Sequence, residues 1–210
     1  GDALNVMGSL DKWTWPIMAQ ATGGKHFTKN RQGQPYVDQN FDNYSVEYTY
    51  ADGTKLMHYG RTIEGCHNEF ASYIHGTKGF GTFSKNGHWP APSALYSGLT
   101  PNPKNETWKF PARETNPYQD EWEDLLDAIR NDKPYNEAER GALASQVCNM
   151  GRMAAHTGQR VMWDDALKAD PLAPEIEKLV GLGGDSAPVK ADADGFYPTP
   201  QPGITKKREY

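Results

Sequence analysis

The sequence predicts an α+β fold: a largely antiparallel, open-faced sheet with helices packed on one face, a long Pro-rich loop and an extended C-terminal arm. Three observations predict it. Residues 44–84 pair alternating segments into two hairpins, and residues 117–157 repeat apolar residues at helical spacing. The 15 prolines and 21 glycines of the 210-residue chain mark a loop at 88–117 and a tail beyond Gly181. The expected division is one domain over 1–180 and an arm over 181–210.

Tyr44-Ser45-Val46-Glu47-Tyr48-Thr49-Tyr50 alternates, placing Tyr44, Val46, Tyr48 and Tyr50 on one face. Asp52-Gly53 supplies the positive-φ pair of a tight turn, and Thr54 to Thr62 is the returning strand. A second hairpin runs from Glu69 to His75, turns at Gly76-Thr77-Lys78-Gly79 and returns over Phe80 to Ser84, with aromatic and β-branched residues on both arms. Two hairpins in succession imply a meander with one covered face. From His88 to Pro117, six prolines among Asn, Ser and Lys show no apolar period, which reads as a long, partly extended loop.

Asn116-Pro117 is a cap followed by proline at the first helical position; Trp122, Leu125, Leu126 and Ile129 then recur at helical spacing until Asn131 and Pro134. Asn136 opens a longer helix with Glu137 and Glu139 in its first turn and Gly158 as terminator. Leu143, Val147, Met150 and Ala154 form its apolar stripe, flanked by the small residues Gly141, Ala144, Cys148, Gly151 and Ala155, which let a helix lie close to a sheet. Arg160 to Trp163 is a short strand, and Asp164-Asp165 caps a short helix through Lys168. One or two further helical turns are expected at Ile176 to Val180, and the Pro-rich string Tyr197 to Gly203 reads as an extended arm.

Lys and Arg number 22 against 27 Asp and Glu, a formal net charge of −5. No basic stripe forms and no run approaches the roughly 18 apolar residues of a membrane span, so neither nucleic acid nor a membrane is an expected partner. Cys66 and Cys148 are too few for a disulfide scaffold and read as two buried thiols, one bridge being the alternative. The opening Gly1-Asp2-Ala3-Leu4-Asn5 carries no leader features and no initiating Met; it reads as processed or truncated, and Gly1 fits a tag remnant.

Nucleotide and hydrolase motifs are missing: no Gly-x-Gly-x-x-Gly after a strand, no Walker loop, no Gly-x-Ser-x-Gly, no His-Glu-x-x-His. The glycine-rich Gly76 to Gly81 sits between two strands and reads as a hairpin turn rather than a phosphate cradle. The histidines His26, His58, His67, His75, His88 and His156 lack ligand spacing on any one element, apart from the weak pair Glu64 and His67. Tyr118 and Trp122 share a helix face, as core packing or as a sugar-stacking platform.

Several strings in order resemble a known family: Asn116-Pro117-Tyr118-Gln119-Asp120-Glu121-Trp122 with Leu125 to Arg130; Asn136 to Ala142; Met150-Gly151-Arg152-Met153-Ala154-Ala155-His156-Thr157-Gly158; and Trp163 to Leu167. Ala19 to Lys25 after a tryptophan, Val46 to Gly53 and Gly76 to Gly79 fall in the same order. Over residues 2 to 170 the chain resembles the C-terminal domain of the glucose–fructose oxidoreductase / inositol dehydrogenase (Gfo/Idh/MocA) family, in its bacterial branch with a long insert and a Pro-rich tail. The resemblance implies an N-terminal Rossmann domain for NAD or NADP as the partner of this one, with the nucleotide fingerprint and catalytic pair lying before residue 1. No catalytic, cofactor or metal residue is then expected in the chain itself. Related members often carry His where Trp122 stands, so a proton-transfer role does not carry over, although an indole can stack on a sugar.

The implied parent is an NAD(P)-dependent oxidoreductase acting on a sugar, cyclitol or related hydroxyl compound, in a bacterial cytoplasm or periplasm. This chain supplies substrate contacts and a sheet face for homo-oligomers. The expected substrate-binding residues are Arg61, Tyr118, Trp122, Arg152 and His156. Their ordinary structural roles would be a solvated strand arginine, two core aromatics, a helix-end ion pair and a helix C-terminal cation. A non-catalytic carbohydrate-binding or interaction module, and an NAD-using glycoside hydrolase or isomerase on the same scaffold, are the alternatives.

Overall fold

A computed structural model describes residues 13–35, 40–86, 93–111, 116–169, 181 and 190–207. The fold is α+β, and the described residues form two antiparallel four-stranded sheets and three helices. The chain forms two compact units, one from residues 1–64 and 137–210 and the other from 65–136.

The first unit holds β1 (Met18–Gly24), β2 (Asn43–Thr49), β3 (Lys55–Arg61) and the two-residue β8 (Val161–Met162), in the order β3-β2-β1-β8. Its helices are α2 (Ala138–Thr157) and α3 (Trp163–Lys168). Register sets the faces. Ala19, Tyr48 and Leu56 stand opposite one another, as do Ala21, Val46 and His58, and this face meets α2. Ala19, Val46, Tyr48, Val147, Met150, Ala154, Val161, Trp163 and Ala166 form one buried cluster. The alternation read from Tyr44 to Tyr50 is thus the core pattern, and the apolar stripe of α2 seats on it. Gly151 makes the approach possible. A Cβ there would lie 2.9 Å from Tyr48 Cζ, closer still to its hydroxyl, and 3.2 Å from Val46 Cγ1. Tyr48 donates to Val147 O at 3.1 Å across this contact.

The β2–β3 turn differs from the expected positive-φ pair. Only Gly53 is left-handed, at φ +86. Gly53 N–H donates to Tyr50 O and Tyr50 N–H to Thr54 O, while Asp52 Oδ1 accepts from Thr54 N–H. A three-residue turn with a glycine bulge therefore replaces the two-residue one. Gly158, at φ +67, terminates α2 as expected. Glu137 precedes the helix without a side-chain cap, so α2 starts two residues after Asn136. Asp164 and Asp165 lie inside the first turn of α3 rather than capping it.

The second unit holds β4 (Ser72–His75), β5 (Gly79–Phe83), β6 (Ala94–Ser97) and β7 (Glu106–Lys109), paired in chain order, and α1 (Pro117–Arg130). The two hairpins therefore belong to separate sheets, not to one meander. The Pro-rich stretch is also more structured than a loop. It contributes β6, β7 and a helical turn at Pro103–Asn105 capped by Asn102, because a four-residue strand between prolines can pair with a neighbour without showing a period of its own. The glycine-rich turn behaves as read, with Gly76 N–H donating to Gly79 O at 2.9 Å.

The tail is not simply an extended arm. Over 190–207 it folds onto the first unit: Gly203 N–H donates to Thr157 O at 2.9 Å, Lys29 Nζ stands 5.4 Å from the centre of the Phe196 ring, and Pro200 is buried. The helical turns expected at Ile176 to Val180 lie outside the described residues. Both cysteines are unbridged and exposed, not buried: Cys66 sits in the turn after β3 and Cys148 on α2. No helix among the described residues is long and apolar enough to cross a membrane.

Candidate functional site

The expected substrate residues divide between the units. Arg61, Arg152 and His156 belong to the first, Tyr118 and Trp122 to the second. Within the first, the end of the sheet at Gly24, Asn43 and Arg61 is organised by Asp42. Its Oδ2 accepts from His26 N–H at 2.6 Å and Phe27 N–H at 3.1 Å, and its Oδ1 accepts from Asn43 Nδ2 at 2.9 Å. These bonds fix the loop after β1 and carry the chain back through Phe41 into β2.

Phe41 is buried and lies over Gly23, where a Cβ would stand 2.8 Å from its Cδ2. Its backbone N–H donates to Tyr44 Oη at 3.0 Å, and Tyr44 Oη lies 2.8 Å from His156 Nε2. The Phe41 and His156 rings meet edge to face, their centres 4.7 Å apart. His156 has no exposed surface, so it stands behind Tyr44 rather than at the solvent. The phenol donates to Nε2 in the Nδ1–H tautomer, and the imidazole donates to the phenol in the other. The pair can hold or pass one proton, with Tyr44, half-buried, as its outer member.

Arg61 is at the same end of the sheet, paired with Asn43, but on the opposite face, beside the exposed Met57 and Tyr59. That face carries a polar ladder: Gln20 Nε2 donates to Glu47 Oε1 at 3.1 Å, and Lys55 Nζ reaches the same oxygen at 2.6 Å and Thr49 Oγ1 at 2.8 Å. Arg152 is half-buried on α2, one turn before His156. The structure thus brings Tyr44 to His156 and leaves Arg61 across the sheet from them. Tyr44 was readable only as a core strand residue; its role depends on a contact 112 positions away.

In the second unit, Asn116 Oδ1 accepts from Tyr118 N–H at 3.0 Å and Pro117 opens α1, as the sequence predicts. Tyr118 and Trp122 are 65% and 62% exposed, so they are not core aromatics in this chain. At the other end Asp127 bonds Lys133 at 2.7 Å and Asn131 Nδ2, and the Lys133 hydrogen bond draws its carboxyl below the usual range. Burial pushes the Tyr48 phenol well up, with Cys148 and Tyr50 adding to it, and pushes Tyr50 up to about 12. Among the described residues no group of three or more His, Cys, Asp or Glu could hold a metal.

No family model matches the sequence, nor does any curated protein. Solved structures do. A protein of Thermotoga maritima bearing an oxidoreductase designation matches with a TM-score of 0.51 at 18% identity, over 71% of this chain and 41% of that one. The aldose-aldose oxidoreductase of Caulobacter crescentus, solved with glycerol, matches with a TM-score of 0.53 at 16% identity, over 71% and 42%. The UDP-N-acetylglucosamine 3-dehydrogenase of Acidithiobacillus ferrooxidans gives 0.44 at 17% identity, over 68% and 40%. The chain matches about two fifths of the length of each, and it shares the fold of a part of the first two.

Proposed function

We propose that this chain is the substrate-binding and oligomerisation domain of an NAD(P)-dependent oxidoreductase acting on a sugar, cyclitol or related hydroxyl compound. The observation that carries the reading is the fold likeness, which takes in most of this chain but only 42% of the aldose-aldose oxidoreductase. The nicotinamide supplies hydride transfer when bound. The described strands are all antiparallel, and the glycine-rich string is a hairpin turn, whereas a dinucleotide fold needs a glycine loop between a strand and a helix. The reading therefore assigns the cofactor to an N-terminal Rossmann domain joined to this one.

This domain's share is to bind and orient the substrate. Tyr118 and Trp122, one turn apart and exposed, offer adjacent ring faces to a sugar. Arg152 is a donor for hydroxyl oxygens, and His156 holds Tyr44 in place and takes or returns its proton; Arg61, on the opposite face of the sheet, lies with the oligomer surface instead. The open face of the first sheet, with Met57 and Tyr59 beside the polar ladder, is the homo-oligomer surface of this reading.

The test is to assay the full-length parent with NAD and NADP against a panel of aldoses and cyclitols, following nicotinamide reduction. Reduction with at least one compound, reduced tenfold or more by Trp122→Ala, supports the reading. Binding of sugars without net reduction would favour the alternatives: a carbohydrate-binding module, which the exposed ring pair also suits, or a hydrolase or isomerase. For the chain by itself, calorimetry with NAD or NADP should give no binding heat, and micromolar binding would overturn the placement of the cofactor.

A further inference from the structure

Ser145, Asn149, Arg152 and His156 follow the i, i+4, i+7, i+11 spacing of one side of α2. That side lies two residues, about 200°, around the helix from Val147, Met150 and Ala154, which pack on the first sheet. Burial rises along it. Ser145 and Asn149 are exposed, Arg152 is half-buried, and His156 has no exposed surface. Packing on the sheet does not account for this gradient, because this side of the helix turns away from the sheet. A histidine in the last turn of a helix would ordinarily reach solvent as a C-terminal cation. Phe41 and Tyr44 meet the imidazole from the end of the sheet, so the rest of its cover comes from elsewhere.

The C-terminal tail is seated at this turn. Gly203 N–H donates to Thr157 O at 2.9 Å, one residue past His156, and a Cβ at Gly158 would stand 3.1 Å from both Pro202 Cβ and Gly203 N. At the far end of the tail, Lys29 Nζ stands 5.4 Å from the centre of the Phe196 ring, and a Cβ at Gly195 would stand 3.3 Å from Pro35 Cγ. Between these anchors Tyr197 is half-buried and Pro200 buried. The tail thus runs from the loop after β1 to the end of α2. Its shape is its own. Asp192 Oδ1 accepts from Asp194 N–H at 3.0 Å and Phe196 N–H at 2.9 Å, and Gln201 O accepts from Ile204 N–H at 3.1 Å and Thr205 N–H at 3.0 Å. Pro198, Pro200 and Pro202 stiffen the span between and within these turns. A segment shaped in this way loses little freedom on seating, while a cation over a ring and a single backbone bond are individually weak anchors.

We propose that residues 190–207 form a strap that completes the cover over His156. While the strap is seated, the Tyr44–His156 pair meets water only through the Tyr44 hydroxyl; when it lifts, the imidazole meets water as well. The strap therefore sets which atom of the pair gains or loses a proton to solvent. The inference concerns this pair and holds whatever substrate the parent takes.

The test is carbethoxylation of the 210-residue chain by diethyl pyrocarbonate, followed histidine by histidine by mass spectrometry, with the exposed His58 and His75 as internal references. In the full chain His156 should react at least tenfold more slowly than the references. Deleting residues 190–210 should raise its rate at least tenfold, while the reference rates and amide hydrogen exchange at Val46 in the core stay unchanged. A deletion that quickens exchange at Val46 is replaced by Gly203→Pro, which removes the N–H donor and cannot hold the φ of +80 found there, under the same criteria. His156 as reactive as the references in the full chain overturns the proposal, and so does His156 that stays protected in both variants. Sugar oxidation by the parent does not enter these measurements, so this inference and the proposed function fail separately.

Discussion

Replacing Gly151 by alanine tests how α2 is held against the first sheet. The added methyl would stand 2.9 Å from Tyr48 Cζ, closer to its hydroxyl, and 3.2 Å from Val46 Cγ1, on the two buried side chains of β2. Alanine by itself favours a helix over glycine by about 1 kcal/mol. Against that, overpacking a filled core costs about 1–3 kcal/mol, and displacing the phenol from Val147 O forfeits about 1 kcal/mol of hydrogen bond. The net expectation is a loss of about 2 kcal/mol, lowering the melting midpoint by about 4–8 °C for a chain this size. Denaturant unfolding of four proteins closes the cycle: wild type, Gly151→Ala, Tyr48→Phe and the double variant. Removing the hydroxyl relieves the tightest contact, so the alanine should cost at least about 1 kcal/mol less in the Tyr48→Phe background, a coupling of the size adjacent residues show. Gly151→Ala that stabilises the protein, or equal costs in both backgrounds, would refute the packing argument.

Other expectations follow from the same geometry. Tyr50 ionises at about 12 in the folded chain against about 10 when unfolded, so it favours the folded state fully below pH 10 and that contribution is lost as pH rises from 10 to 12. Denaturant midpoints across that range should fall steeply, and less steeply in Tyr50→Phe. Tyr44→Phe removes the hydroxyl that serves both Phe41 N–H and His156 Nε2; a loss of about 1–3 kcal/mol is expected, with a changed imidazole nitrogen shift by NMR, and an unaltered spectrum would disprove the pairing. Deleting residues 190–210 removes the Gly203–Thr157 bond, and hydrogen exchange at the end of α2 should quicken; unchanged exchange there would show the tail to be dispensable.

The parts of the fold legible in the sequence are those whose cause is local. Asn116 and Pro117 set the start of α1 through one cap bond, Gly158 ends α2 by its positive φ, and the Tyr44–Tyr50 alternation gives the buried face of β2. β1 shows the opposite case. Its segment Met-Ala-Gln-Ala-Thr-Gly-Gly has low strand propensity, yet it is a central strand, because Ala19 and Ala21 leave room for α2 and Gly23 admits Phe41. The small residues that hide the strand from sequence reading are the ones the packing needs. β6 and β7 escaped for another reason: each is four residues long and owes its form to the neighbour it pairs with. At the candidate site, Tyr118 and Trp122 were legible as a pair but not as exposed, and His156 as a residue of interest but not as buried, because both facts depend on what the rest of the chain covers.

The same division bears on how copies of the chain would meet. The outer face of the first sheet spends its central positions on a ladder, Gln20 to Glu47 to Lys55 to Thr49, whose groups already satisfy one another. Burying that ladder would desolvate an ion pair for little net gain, so the apolar drive there falls to the edge strand β3, through Met57 and Tyr59. A contact between copies through this face should therefore centre on Met57 and Tyr59, with the ladder left solvated as its polar border.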